Sequence, residues 1–199
     1  DDFLDDGVLG QALVRAGVAG TGHTRKPVDE YIREQLLKRR SGQSFRTTAR
    51  GLRELFRLLG FISETGQITL TGHRAATFAA RPLAEQTDFW RRQILNMTHV
   101  GEEGGLSHPY QVLLRLVAKK PGITRAKCAL ALEASTDSPE ELDRIAALAD
   151  LDEETIRQRI GETESNWDNA KKVLPAFAEQ LGDVVRVAGR GFQIADAPG

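Results

Sequence analysis

The chain has 199 residues, 40% of them hydrophobic and 28% charged, with a formal net charge of −1. That is the composition of an ordinary globular protein, long enough for one large or two small cores. No apolar run approaches the ~20 residues that span a bilayer, so no membrane partner is expected, and a charge near zero excludes a protein that coats nucleic acid by bulk attraction alone. The single cysteine, Cys128, cannot close an internal disulfide, which fits a cytoplasmic setting, and among Ala126, Ala129 and Leu130 it reads as a core residue. The opening DDFLDDGVLG lacks both an initiator Met and a basic n-region. It reads as part of a longer protein and not as a signal peptide.

In chain order, residues 5–16 are predicted as a short helix with Val8, Leu9, Ala12 and Leu13 as its apolar positions, followed by the glycine-rich AGVAGTGHT. Pro27 suits a helix start, and VDEYIREQLLKRR places Val28, Ile32, Leu36 and Leu37 on one side, ending at Ser41-Gly42. The stretch 44–73, SFRTTARGLRELFRLLGFISETGQITLTGH, organises what surrounds it. Its first half is predicted as a helix capped by Thr47 or Thr48, its second as a ribbon of residues 61–63 and 67–70 turned by Glu64-Thr65-Gly66. Leu52, Leu55, Phe56 and Leu59 share one helix face, and Arg50, Arg53 and Arg57 fall together on the opposite one. Gly51 is expected to admit a closely packed helix. Thr71 is predicted to cap the next helix, 72–80, which Pro82 stops. An amphipathic LAEQTDFWRRQILNMT then leads to a Gly/Glu loop at 99–107, which closes the first of two predicted domains, 1–104 and 105–199.

The second half repeats the plan with a helical insertion. Pro109 opens PYQVLLRLVAKK, ended by Pro121-Gly122; Thr124 caps RAKCALALEA; Asp137 or Ser138 with Pro139 starts PEELDRIAALADL; and LDEETIRQRI follows. ESNWDNAKKVLPAFAEQLGD, with a kink expected at Pro175, runs into VVRVAGRGFQIA, two β-rich runs around a glycine turn. The order "Leu-Gly, β, Gly turn, β" occurs in both ELFRLLGFISETGQITLT and AFAEQLGDVVRVAGRGFQIA. This internal repeat predicts a mainly α protein with small β-hairpins, organised as two tandem winged-helix subdomains.

The chemistry of the arginine stripe points to double-stranded DNA. Arginine suits bidentate contact with guanine O6 and N7, or with phosphate oxygens, once its helix lies in the major groove. Arg46, Arg50 and Arg53 are expected near bases and Arg57 near phosphate, with the Thr47 and Thr48 hydroxyls on phosphate and Thr65 and Gln67 on the wing. In the second unit the candidates are Asn166 and Asn169 for adenine, Lys171 and Lys172 beside them, and Arg186 and Arg190 on the wing. Trp167 reads as core. Charge is unevenly placed: residues 25–57 hold ten Lys/Arg against four acids, and residues 133–168 hold twelve acids against three arginines. That asymmetry predicts one basic face. The alternative for the stripe is a solvated face in which the arginines pair with Glu54 and its neighbours; side chains locked to carboxylates, leaving no positive surface, would overturn the DNA reading.

Catalytic signatures are absent from the sequence. His23, His73, His99 and His108 form no HExxH or Cys–His set, so no metal is expected, and no phosphate-binding GxxxxGK[ST], dinucleotide GxGxxG or nucleophile elbow occurs. No cofactor is expected, and the chain as it stands is not read as an enzyme.

Together, TTARGLRELFRLLGFISETGQITLTGHRAATF, FWRRQILNMT with HPYQVLLRLVAKKPGITRAKCALAL, and SNWDNAKKVLPAFAEQLG with its final hairpin resemble the DNA-recognition region of type II, particularly type IIS, restriction endonucleases of the FokI and AlwI kind. The resemblance implies tandem winged helices that read a sequence or a modified base, with cleavage by a nuclease domain elsewhere in the full-length protein. It carries DNA contact onto residues 46–57 and 166–172. Nothing in the chain matches the family's cleavage motif, and the acids of the second unit depart from a DNA-reading surface. Two other classes stay open: a winged-helix transcriptional regulator or replication initiator, and a protein–protein interaction scaffold.

Overall fold

A computed structural model describes residues 5–16, 19, 26–101, 104–161, 173–187 and 191–195. These residues are mainly helical, with antiparallel sheets of two and three strands. The chain forms two compact units, 1–86 and 87–199.

In the first unit, α1 (Asp6–Arg15) packs against α3 (Ser44–Leu58). The contact face of α1 is made of small residues: a Cβ on Gly10 would collide with the Phe45 ring, and one on Gly7 with the Arg46 guanidinium. Val8, predicted on the apolar face, is exposed. Glycines at i and i+3 let the two helices approach closely, a signal that a count of large apolar residues passes over. Phe45 joins Val14, Ala19, Tyr31 and Ile32 in a buried cluster that brings in α2 (Val28–Leu36).

The turn from α2 to α3 contains the short 3-10 helix Arg40–Gly42 and is fixed by two buried glutamines. The Ser44 backbone N–H donates to Gln35 Oε1 at 3.3 Å. Gln43 donates through Nε2 to the Lys38 carbonyl at 3.1 Å and accepts from Arg46 Nε at 2.6 Å. Thr47 and Thr48 therefore do not cap this helix, which starts at Ser44 after Gln43. The Gln35 side chain reaches the Ser44 N–H, one of the donors that a capping side chain would otherwise satisfy.

Helix α3 ends on Gly60 at φ 72°. The Phe61 N–H bonds the Phe56 carbonyl at 2.8 Å, and the Gly60 N–H that of Arg57 at 2.9 Å, a left-handed glycine cap. The ribbon that follows is shorter than predicted, an antiparallel pair at Ile62↔Ile68. Leu70 lies not in a strand but at the start of α4 (Leu70–Phe78), capped by Thr69 and not by Thr71. The Thr69 hydroxyl donates to the Gly60 carbonyl at 2.6 Å and accepts from the Gly72 N–H at 3.0 Å, which joins the end of α3 to the start of α4. Gly51, expected beneath a packed helix, has nothing within 4 Å of a Cβ position and is exposed.

Helix α5 (Leu83–Leu95) crosses the division of the two units. The second unit continues with a small ribbon, β1 (His99–Val100) and β2 (Leu106–Ser107). Then come α6 (Pro109–Lys119), β3 (Ile123–Thr124), a 3-10 helix (Lys127–Glu133), α7 (Pro139–Leu148) and α8 (Glu153–Ile160). Residues 173–180 form α9, with Pro175 near the start of its described part, and lead into the hairpin of β4 (Val184–Val187) and β5 (Gly191–Ile194). β5 is central: Val184 to Val187 pair with Ile194 to Gly191, and Ile123 and Thr124 pair with Phe192 and Gly191. The close β3–β5 crossing needs a glycine, since a Cβ on Gly191 would strike the Gly122 carbonyl. Tyr110, Leu113, Leu116, Cys128, Leu130, Ile145, Ile156 and Phe192 are buried in this unit. Ser138 caps α7 with Pro139 in its first turn, as predicted.

The end of α9 repeats the end of α3. Gly182 stands at φ 75°, the Asp183 N–H bonds the Ala178 carbonyl at 2.9 Å, and the Gly182 N–H bonds that of Glu179 at 3.2 Å. Asp183 then anchors the hairpin, accepting from Arg91 Nε at 3.2 Å and from the Tyr110 hydroxyl at 2.7 Å. Arg91 also donates to the Leu181 carbonyl at 2.6 Å, and Trp90 packs against Phe177 with ring centres 6.0 Å apart. Burial and the Asp183 carboxylate hold the Tyr110 hydroxyl well above its ordinary pKa.

Candidate nucleic-acid interface

The two units differ in charge: thirteen Lys/Arg against ten acids in residues 1–86, and fourteen against eighteen in residues 87–199. A duplex would be attracted to the first.

There, the surface around α3 is not a bare arginine row. Arg46 is half-buried on Gln43. Arg50 and Arg53 share one carboxylate, Asp6 at the start of α1, at 3.6 and 3.4 Å. Asp6 is only 19% exposed whereas Arg50 is 70% exposed, so the acid is fixed in the helix contact and the arginine extends past it. Arg57 is held hardest. Its Nε donates to both Glu54 oxygens at 3.1 Å, its Nη2 to Glu54 Oε1, and its Nη1 to Glu64 on the ribbon turn. These carboxylates raise the Arg57 pKa, and Arg57 in turn lowers that of Glu54.

All three arginines of the stripe thus stand on carboxylates, which counts against the DNA reading, and only Arg50 keeps most of its surface. A cleft of about 250 Å³ between α3 and the ribbon is lined by Arg53, Arg57, Glu54 and Glu64, with Thr65 and Gly66. Two cations and two anions cancel there, so it is a poor seat for phosphate. Thr65 is exposed with its hydroxyl 2.9 Å from that of Ser63, and Gln67 is exposed on the returning strand.

Positive charge outside ion pairs lies elsewhere, although Arg40 is near enough to Asp5 to help, after the Val8 and Gly7 N–H groups, to hold that carboxyl below its ordinary range. Lys38, Arg39 and Arg40 are exposed in the α2–α3 turn, and among the described residues none of them forms an ion pair. Sequence periodicity missed them because they belong to no helical face; the run KRR just before the helix was the available signal. The face of α3 open to solvent carries Thr47, Thr48, Arg50, Gly51 and Glu54.

In the second unit Asn166, Trp167, Asn169, Lys171, Lys172 and Arg190 lie outside the described residues. Arg186 is on β4 but is engaged by Glu179 of α9 through Nε and, at 3.0 Å, Nη2. The acids of the insertion neutralise the end of α6: Lys119 pairs with Asp143, and Lys120 with Asp150 at 2.7 Å. His108 Nδ1 is 2.6 Å from Asp137 Oδ2, and the His108 N–H donates to Oδ1 at 2.7 Å. Burial pushes the Asp137 carboxyl up, but these bonds outweigh it and leave the group below its ordinary range. Cys128 is buried and its thiol is pushed up to about 12 by burial, the behaviour of an inert core residue.

Among the described residues no cluster of His, Cys, Asp and Glu could hold a metal ion, and no helix is long and apolar enough to cross a membrane. No known protein family, curated protein or solved structure matches the chain.

Proposed function

We propose that this chain is a double-stranded DNA-binding module. Its first unit acts as a winged helix-turn-helix, with α2 and α3 as the helix pair and residues 61–69 as the wing. One observation carries the reading: an exposed Lys38-Arg39-Arg40 turn, without an ion pair among the described residues, leads into α3, on whose solvent face Thr47 and Gly51 are exposed and Arg50 keeps most of its surface beside Asp6. The turn grips phosphates while α3 enters the major groove, the usual division between contacts that position and contacts that read. The order of the second unit supports a tandem plan: α6, β3 and the 3-10 helix are followed, after the inserted α7 and α8, by α9 and the β4–β5 hairpin, with strand order β3-β5-β4 as in a winged helix. Its acidic balance and its paired Arg186 make it the weaker DNA surface. With the likeness to type IIS enzymes, the module is the site- or modification-reading part of a restriction endonuclease, cutting being left to a nuclease domain outside this chain.

Fluorescence anisotropy with a labelled duplex at about 0.05 and 0.2 M salt tests this. Each phosphate contact contributes a slope of about −0.9 in log K against log salt. Replacing Lys38, Arg39 and Arg40 together by Ala should flatten that slope by about 3, while Arg186→Ala leaves the binding unchanged. A wild-type chain that retains no duplex at low salt overturns the reading. The other candidate is then a protein-binding scaffold, favoured by the carboxylates already seated on Arg50, Arg53 and Arg57.

A further inference from the structure

We infer that Glu54 is a base-reading residue of α3 that accepts a hydrogen bond from the N4 amino group of a cytosine, and that Arg57 and Glu64 are positioning residues that hold it for this task. The inference rests on the reading of α3 as the helix that enters the groove. On that helix Arg50 and Glu54 are one turn apart on the solvent face, with Gly51 between them and nothing near its Cβ position. The face therefore carries an arginine and a glutamate whose Cα atoms are about 6 Å apart along the axis, across a backbone that can approach closely.

A carboxylate in the middle of a DNA-facing strip is repelled by phosphate and gains a partner in the groove only where a base edge supplies N–H donors. In the major groove the donors are cytosine N4 and adenine N6. Adenine sets its acceptor N7 beside the amino group, which suits the amide of Asn or Gln and repels a carboxylate. Cytosine remains. Its pairing partner guanine presents O6 and N7, the acceptors that a guanidinium such as Arg50 fits.

Hydrogen-bond capacity agrees with this role. An ionised carboxylate has about four acceptor sites. Arg57 fills two on Oε1 and one on Oε2, leaving one site on Oε2 for an incoming N–H. A lone i,i+3 ion pair on a helix is a loose contact. Here the arginine is also tied to Glu64 across the cleft and is only 32% exposed, whereas Glu54 remains 58% exposed. The side chain that faces outward is thus oriented by one that does not.

The test is selection of bound sites from a random duplex pool with the wild-type chain, Glu54→Gln, Glu54→Ala and Arg57→Ala, each checked for an unchanged thermal midpoint. The wild type should return a motif with a fixed cytosine. Glu54→Gln should shift that one column toward adenine. Glu54→Ala should relax it and weaken binding to the wild-type site about tenfold, within the range of one base contact. Arg57→Ala should blur the same column and leave the others sharp. A wild-type motif whose columns survive both Glu54 variants overturns the inference and leaves the DNA-binding reading standing. A wild-type chain that retains no duplex from the pool overturns both.

Discussion

The hairpins at 61–69 and 184–194 leave their helices through the same glycine cap and then diverge. After Leu59-Gly60 the chain places Phe61, whose ring lies 6.0 Å from that of Phe56. After Leu181-Gly182 it places Asp183, which is bound by Arg91 and Tyr110. The second hairpin pairs four residues of β4 with four of β5 and gains a third strand, β3, through two more pairs, where the first has a single bridge. A two-stranded ribbon is marginal by itself. The first one is held instead by Thr69, which bonds the end of α3, and by Arg57, which reaches Glu64 on its turn. One ribbon is therefore a sheet edge built into a core. The other is an appendage secured by side chains, and an appendage can carry a reading function without being needed for the core.

The largest break in this comparison should come from Asp183→Ala. It leaves a buried tyrosine hydroxyl and Arg91 without their shared acceptor and should cost about 2–3 kcal/mol, read as a lower urea midpoint. Glu64→Ala, the corresponding loss at the first ribbon, should cost under about 1 kcal/mol because the pair is exposed. Equal effects from the two would end the distinction between built-in and appended ribbons.

Next come the matched caps. Gly60→Ala and Gly182→Ala each force an L side chain into the left-handed region and should each cost roughly 1–2 kcal/mol, measured by thermal unfolding. A large inequality would separate two caps that share one hydrogen-bond pattern.

The strongest acid response should come from Glu141 in the second unit, where the carboxyl is lowered most. Arg144 holds Glu141 well below its ordinary 4.5; burial opposes this, and the Ser135 N–H assists, leaving the carboxyl at about 2. A carboxyl lowered in the folded state stabilises the protein above its ordinary pKa and loses that contribution as pH falls through the folded value. Stability should therefore decline between about pH 4.5 and 2, and Glu141→Gln should flatten the curve over that window in pH-dependent urea titrations.

The smallest effect has two signs. Gly51→Ala should stabilise α3 by up to about 1 kcal/mol, since the position is helical and open, while weakening duplex binding several-fold by adding a methyl group to the approaching face. A gain in both would show that the helix does not enter a groove there.

Much of this molecule follows from local rules that act on neighbouring residues. Helix α3 and its apolar face come from a 3.6-residue period, the ends at Gly60 and Gly182 from the need for positive φ, and the placing of Cys128 from its apolar neighbours. Other features were not legible in that way. The small-residue face of α1, the glutamines that lock the α2–α3 turn and the third strand beside β5 depend on segments far apart in the chain. The arginine stripe shows the limit most clearly. Periodicity placed Arg50, Arg53 and Arg57 on one side of a helix, but only tertiary packing brought Asp6 to the first two and Glu64 to the third. Charge pairing depends on distance in space, and a helical period carries no information about the carboxylates that other segments bring near.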